Sequence, residues 1–297
     1  MPNISPLPLW LGDGRIADEL KDRFVFLDPV TNEVVVLTPS DNAAGPAKQL
    51  RFELQNMALT VVSTTVTQRQ DGLYAYEYNI RVAPGSRRPL RQWSLLLPGL
   101  DSKLSADVSS LWQTETAQTD MVDRLASKHV PLKYLHFKVK PGYEMAAGGA
   151  ALEVRIISKY APGYVTAFSR SKPAKELPPA GMAELAKDVV DQIAKVLEPE
   201  FDSRMELVIG PRFDRDTPMA TVASSFDFAM QHFTVRGDMT DASEFAKSCT
   251  AAIRWYTESA TESINVAPPA LDCTTKAQTQ REKEIAHAMR LSLVRDR

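Results

Sequence analysis

The sequence predicts an α+β protein: an antiparallel β-sandwich followed by a helical module. Two observations carry this. Short apolar or alternating runs separated by Gly and Pro turns, the clearest at residues 73–82, fill much of residues 20–172, and apolar residues take three-and-four spacing beyond residue 181. Between the two regimes, Pro173, Pro178 and Pro179 mark a stiff boundary. The 297 residues therefore divide into an N-terminal extension (1–19), a sandwich domain (20–172), a proline-rich linker (173–180) and a mainly helical domain (181–297).

The strands follow in order. Phe24–Leu27 and Val34–Leu37 are β-branched or aromatic runs flanking an Asp28-Pro29 turn, which predicts a hairpin. Leu50–Leu54 and the Val- and Thr-rich stretch Leu59–Val66 come next. After Asp71-Gly72, residues 73–82 alternate: Tyr74, Tyr76, Tyr78, Ile80 and Val82 share one face, and Glu77, Asn79 and Arg81 the other. Leu90–Leu97, Pro131–Val139, Ala151–Ser158 and Tyr164–Ser169 complete the series, separated by Gly and Pro turns. Residues 100–130 are polar and carry no clear period, so Trp112 has no assigned place.

Past the linker, Met182, Leu185, Val189, Ile193 and Val196 predict an amphipathic helix over 181–197. Met205–Ile209 reads as one more short strand. Val222, Phe226, Met230 and Phe233 predict a second helix ending at Gly237. Asp241 with Glu244, and Thr279 with Glu282, have the spacing of capping boxes opening two further helices.

Composition excludes several functions. A net charge of −2, with cations scattered along the chain, argues against nucleic acid as a partner. No apolar run approaches membrane-spanning length, so no membrane insertion is expected. Residues 1–11 lack a basic segment ahead of their apolar patch. Two compartments stay open: the cytoplasm, or export with a signal absent from this sequence.

Catalytic motifs are missing. There is no GxSxG elbow, P-loop, GxGxxG or EF-hand spacing. His129, His136, His232 and His287 are not spaced as metal ligands, so no metal and no cofactor are expected. Cys249 and Cys273 are the two cysteines; they form either a disulfide or two buried thiols. The remaining candidate is a binding surface. Arg87, Arg88 and Arg91 cluster before Trp93, and guanidinium groups beside aromatic rings suit anions or sugars. Tyrosines lining a core and solvated arginines in a turn are the alternative.

Tyr76-Glu77-Tyr78-Asn79-Ile80, then Ser86-Arg87-Arg88-Pro89-Leu90 and Trp93-Ser94-Leu95 before Pro98, with Pro141-Gly142 and Ala161-Pro162-Gly163-Tyr164 further on, resemble a pattern in exported bacterial β-sandwich proteins. The resemblance covers residues 50–170. It implies an immunoglobulin-like sandwich and export, and transfers no catalytic residue. Together these readings lead to the expectation of a non-catalytic binding or scaffold protein that meets a glycan or a protein partner, with an apolar helix face available for a homodimer. The alternative is a hydrolase with a carboxylate-based site in a cleft between the two halves.

Overall fold

Strands with one wet face alternate and strands with two covered faces do not, and both kinds occur here. The computed structural model describes residues 25–28, 31, 33–38, 48–98, 105–108, 110–119, 132–177, 185, 187–197, 202–237, 239, 243–258 and 273–293. The N-terminal extension, Pro178, Pro179, His129 and Asp241 lie outside them. The described residues make a mixed α+β fold of three antiparallel sheets and a set of helices, with strands predominating.

The first sheet holds β1 (Val25–Asp28), β2 (Glu33–Thr38) and β3 (Lys48–Glu53) in that order. Its partner is α1 (Lys187–Val196). Val25, Val34, Val36, Phe52 and Leu54 form one cluster with Val189, Ile193 and Val196. The helix that the sequence grouped with the helical half thus buries its apolar stripe against the N-terminal strands.

The second sheet runs β4 (Thr60–Gln68), β5 (Tyr74–Val82), β10 (Leu152–Ser158) and β7 (Ser105–Val108). The third runs β12 (Arg204–Phe213), β11 (Ala161–Ser171), β6 (Leu90–Pro98), β9 (Leu132–Val139) and β8 (Trp112–Thr119). These two sheets share one core. Tyr76, Tyr78, Ile80, Val154 and Ile156 from one meet Trp93, Leu95, Leu135, Phe137 and Val165 from the other. The Tyr78 and Trp93 rings lie 5.3 Å apart, and Trp93 lies against Phe137 at 5.7 Å. β12 comes from beyond the proline-rich segment, yet it pairs with β11 from Ala161 opposite Phe213 to Ser169 opposite Arg204. Gly163 faces Gly210 in that register, and a Cβ on Gly210 would stand 2.6 Å from Val165 Cγ2, so only glycine fits.

The remaining helices are α2 (Met219–Val235), α3 (Glu244–Glu258), the single turn α4 (Cys273–Lys276) and α5 (Gln280–Leu293). α2 sets Phe226 and Phe233 against Tyr164 of β11. α2 ends where Gly237 takes φ 76°, as a C-terminal stop does. Ser243 caps α3: its hydroxyl accepts from the Ala246 N–H at 3.0 Å. The Thr279–Glu282 box forms in both directions, with Glu282 N–H donating to Thr279 Oγ1 (3.1 Å) and Thr279 N–H to Glu282 Oε2 (3.0 Å). α5 lies along β4, where His287 Nε2 donates to the Val66 carbonyl at 2.7 Å. Among the described residues, no helix is long and apolar enough to cross a membrane.

Candidate functional site

The four residues singled out before and on β6 have three different fates. Trp93 is wholly buried between the sheets, so its ring does not face a ligand at the surface. Arg88 is fixed: its Nε donates to both Glu53 carboxylate oxygens at 3.0 and 3.1 Å. Arg87 is exposed and points to no described partner in this pairing. Arg91 is half exposed and donates from Nη1 to Glu176 at 2.9 Å. A register shift causes the split. Ser171 lies opposite Leu90 and Arg170 opposite Gln92, so Arg91 has no cross-strand partner on β11. That irregularity puts Leu90 and Trp93 both in the core and turns Arg91 outward.

Arg91 opens into a groove of about 230 Å³. One wall is Pro89, Leu90 and Arg91; the other is Lys140–Glu144, with Lys172 and Glu176 closing an end. The second wall is a tight turn. Tyr143 N–H donates to the Lys140 carbonyl at 3.2 Å, Pro141 takes the first corner and Gly142 the second at φ 87°. Backbone bonds tie the walls together: Leu90 N–H to the Met145 carbonyl (2.8 Å) and Lys172 N–H to the Pro89 carbonyl (3.0 Å). Lys172 also pairs with Glu144. The turn holds Tyr143 54% exposed at the rim; Phe228 on α2 is the other exposed large aromatic among the described residues. Tyr143, Lys140, Glu144, Lys172 and Glu176 were not singled out from sequence. The Lys-Pro-Gly-Tyr order was the available signal, since a Pro-Gly turn presents the residue after it.

A wider concavity of about 590 Å³ lies on the outer face of the four-stranded sheet. Ser63, Asn79 and Glu153 line up across three strands, and Thr65, Glu77 and Arg155 form the next row. Arg155 and Glu77 are 3.5 Å apart in an exposed ion pair. This is the solvated side of the alternation read from β5.

Several polar groups are partly or wholly withdrawn from water. His136 on β9 receives Ser94 Oγ at 2.8 Å and Gln92 Nε2 at 3.0 Å at its Nδ1, and desolvation pushes it down to about 4. Burial raises the carboxyls of Asp202, Glu206 and Glu284. Asp202 accepts from the backbone and side-chain nitrogens of Gln55 at 2.8 and 3.1 Å. Thr60 Oγ1 bonds Glu206 at 2.9 Å and Ser169 Oγ at 2.8 Å. Among the described residues no three His, Cys, Asp or Glu side chains gather in a form that holds a metal ion. Cys249 is wholly buried on α3 and disulfide-bonded; the chain's other cysteine, Cys273, opens α4.

Compared with known proteins, the chain matches no family model and no curated sequence.

Proposed function

We propose that the protein is a non-catalytic binding protein of the immunoglobulin-like sandwich class, and that the Arg91–Tyr143 groove takes a glycan. The observation that carries the reading is the exposed Tyr143 ring, held on a Pro-Gly turn beside fixed charged groups. A sugar offers an apolar ring face and a rim of hydroxyls. Tyr143 supplies the stacking surface, and Arg91, Glu144, Lys172 and Glu176 supply charge-assisted hydrogen bonds to hydroxyls. The walls are tied by backbone bonds before any ligand arrives, which limits the ordering cost of binding.

The sandwich class is supported by strand order. Seven strands, β4, β5, β6, β7, β10, β11 and β12, correspond in chain order to A through G. They then give A-B-E-D in one sheet and G-F-C in the other, with β8 and β9 inserted after D and joined beside C. Trp93 then falls on strand C, where such sandwiches bury a tryptophan. Export fits the bonded state of Cys249, because disulfides persist in oxidising compartments. We take its partner to be Cys273; a non-reducing peptide map would find those two peptides joined.

The test is a glycan array followed by calorimetry with the best binder. Tyr143→Ala is expected to abolish binding while leaving the unfolding midpoint unchanged. An empty array, or a Tyr143→Ala variant that binds like the parent, sinks the reading. The alternative is a hydrolase with a carboxylate-based site in a cleft between the two halves, for which Glu206, buried and bonded by Thr60 Oγ1 at 2.9 Å, is the candidate. It requires glycan turnover that Glu206→Gln eliminates.

A further inference from the structure

The groove beside Tyr143 is unbalanced in charge. Three cations line it, Arg91, Lys140 and Lys172, against two carboxylates, Glu144 and Glu176. The chain as a whole has the opposite sign, with a net charge of −2. Both carboxylates are engaged: Glu176 accepts from Arg91 Nη1 at 2.9 Å, and Glu144 pairs with Lys172. Lys140 is the cation left over. It is exposed, its backbone N–H is spent on the Leu111 carbonyl at 3.0 Å, and among the described residues no carboxylate pairs with its ammonium group. Arg91 adds to the surplus. A guanidinium carries five N–H donors, and the bond to Glu176 uses one.

The surplus charge lies next to the stacking surface. Lys140 and Tyr143 are the first and last residues of one tight turn, closed by the Tyr143 N–H on the Lys140 carbonyl at 3.2 Å. The Cα atoms at the ends of such a turn are less than about 7 Å apart. One sugar ring lying on Tyr143 therefore has the Lys140 ammonium within reach of a substituent at its edge. A neutral sugar would use the aromatic ring and gain nothing from that charge, whereas an anionic substituent gains a charge-assisted hydrogen bond.

We propose that the groove selects an acidic glycan: its ring lies on Tyr143 and its anionic group, a uronate carboxylate or a sulfate ester, meets Lys140. This rests on the glycan reading above and deepens it by naming the substrate class. Lys140 and the open donors of Arg91 read the anion, and the paired Glu144 and Glu176 accept from hydroxyls.

A glycan array carrying hexuronate oligosaccharides, sulfated oligosaccharides and the neutral parents of both tests it. Hits are expected among the acidic glycans and not among their neutral parents, and the two acidic arms distinguish carboxylate from sulfate. Calorimetry then compares the best acidic binder with its neutral parent. The acid is expected to bind about ten-fold more tightly at low salt, as one charge-assisted hydrogen bond implies. Lys140→Gln is expected to erase that preference. Lys187→Gln on α1, which removes the same charge far along the chain from the groove, is expected to keep it. Neutral glycans that bind as well as the acids overturn the acidic selection and leave the glycan reading standing. So does a preference that survives Lys140→Gln. An array with no hits overturns both.

Discussion

β5 and β6 occupy neighbouring places in the two sheets and bury the same core, yet their sequences look unlike. β5 alternates strictly through Tyr76, Glu77, Tyr78, Asn79 and Ile80, because the far side of its sheet meets water. β6 reads Trp-Ser-Leu-Leu-Leu, because it runs through the middle of its sheet and is buried on both sides from Trp93 to Leu97. Trp93, Leu95 and Leu97 face the shared core, while Leu96 packs with Tyr134 and Phe168 on the opposite side. Ser94 and His136 are held on that same outer side. Alternation thus reports a strand with one wet face, and a continuous apolar run reports one with none.

This contrast yields four ordered expectations. Trp93→Ala, on the inner face, is expected to cost about 3–5 kcal/mol in denaturant unfolding, since the cavity it leaves lies between two rigid sheets. Phe168→Ala, on the outer face of the five-stranded sheet, should cost about 3 kcal/mol by the same measurement; a loss under 1 kcal/mol would mean that face is open to water. His136 gives a smaller, pH-dependent effect. Its folded value near 4 lies below the unfolded value, so the unfolded chain binds the extra proton between about pH 6.5 and 4. Stability is then full above that window and falls as pH drops through it, by about 1–2 kcal/mol once screening of the half-exposed ring is allowed for. His136→Gln should flatten this limb of the curve. Thr65→Ala, on the wet face of the four-stranded sheet, should stay within about 0.5 kcal/mol of the parent, and a larger loss would show that face to be covered.

The same contrast explains what was legible. β5, β10 and the Thr279–Glu282 cap are visible in sequence because each depends on neighbours along the chain. β7 and β8 are not: the first has four residues, and Gln113, Thr114, Glu115 and Thr116 are all exposed, so no apolar period marks the strand. Ser243 takes the capping position that the Asp241 spacing suggested, a difference of two residues at a polar helix entrance. Trp93 read as part of a binding patch because it follows three arginines. The register shift at Arg91, which separates them, is set by β11 some eighty residues away and leaves no local mark. The pairing of β12 with β11 across the proline-rich segment is equally non-local. The groove escaped notice for the same reason: its walls come from three distant segments, and only the Pro141-Gly142 turn hints at what it presents.

The contact between α5 and β4 has a consequence in time. His287 lies 221 residues beyond Val66, the residue whose carbonyl it covers. At roughly 5–20 residues per second of synthesis, β4 waits roughly 10–45 s for its cover. Through that interval a Val- and Thr-rich edge stands open on the ribosome. Nascent chains stalled before residue 280 should therefore recruit holding chaperones, and chains released with α5 in place should not.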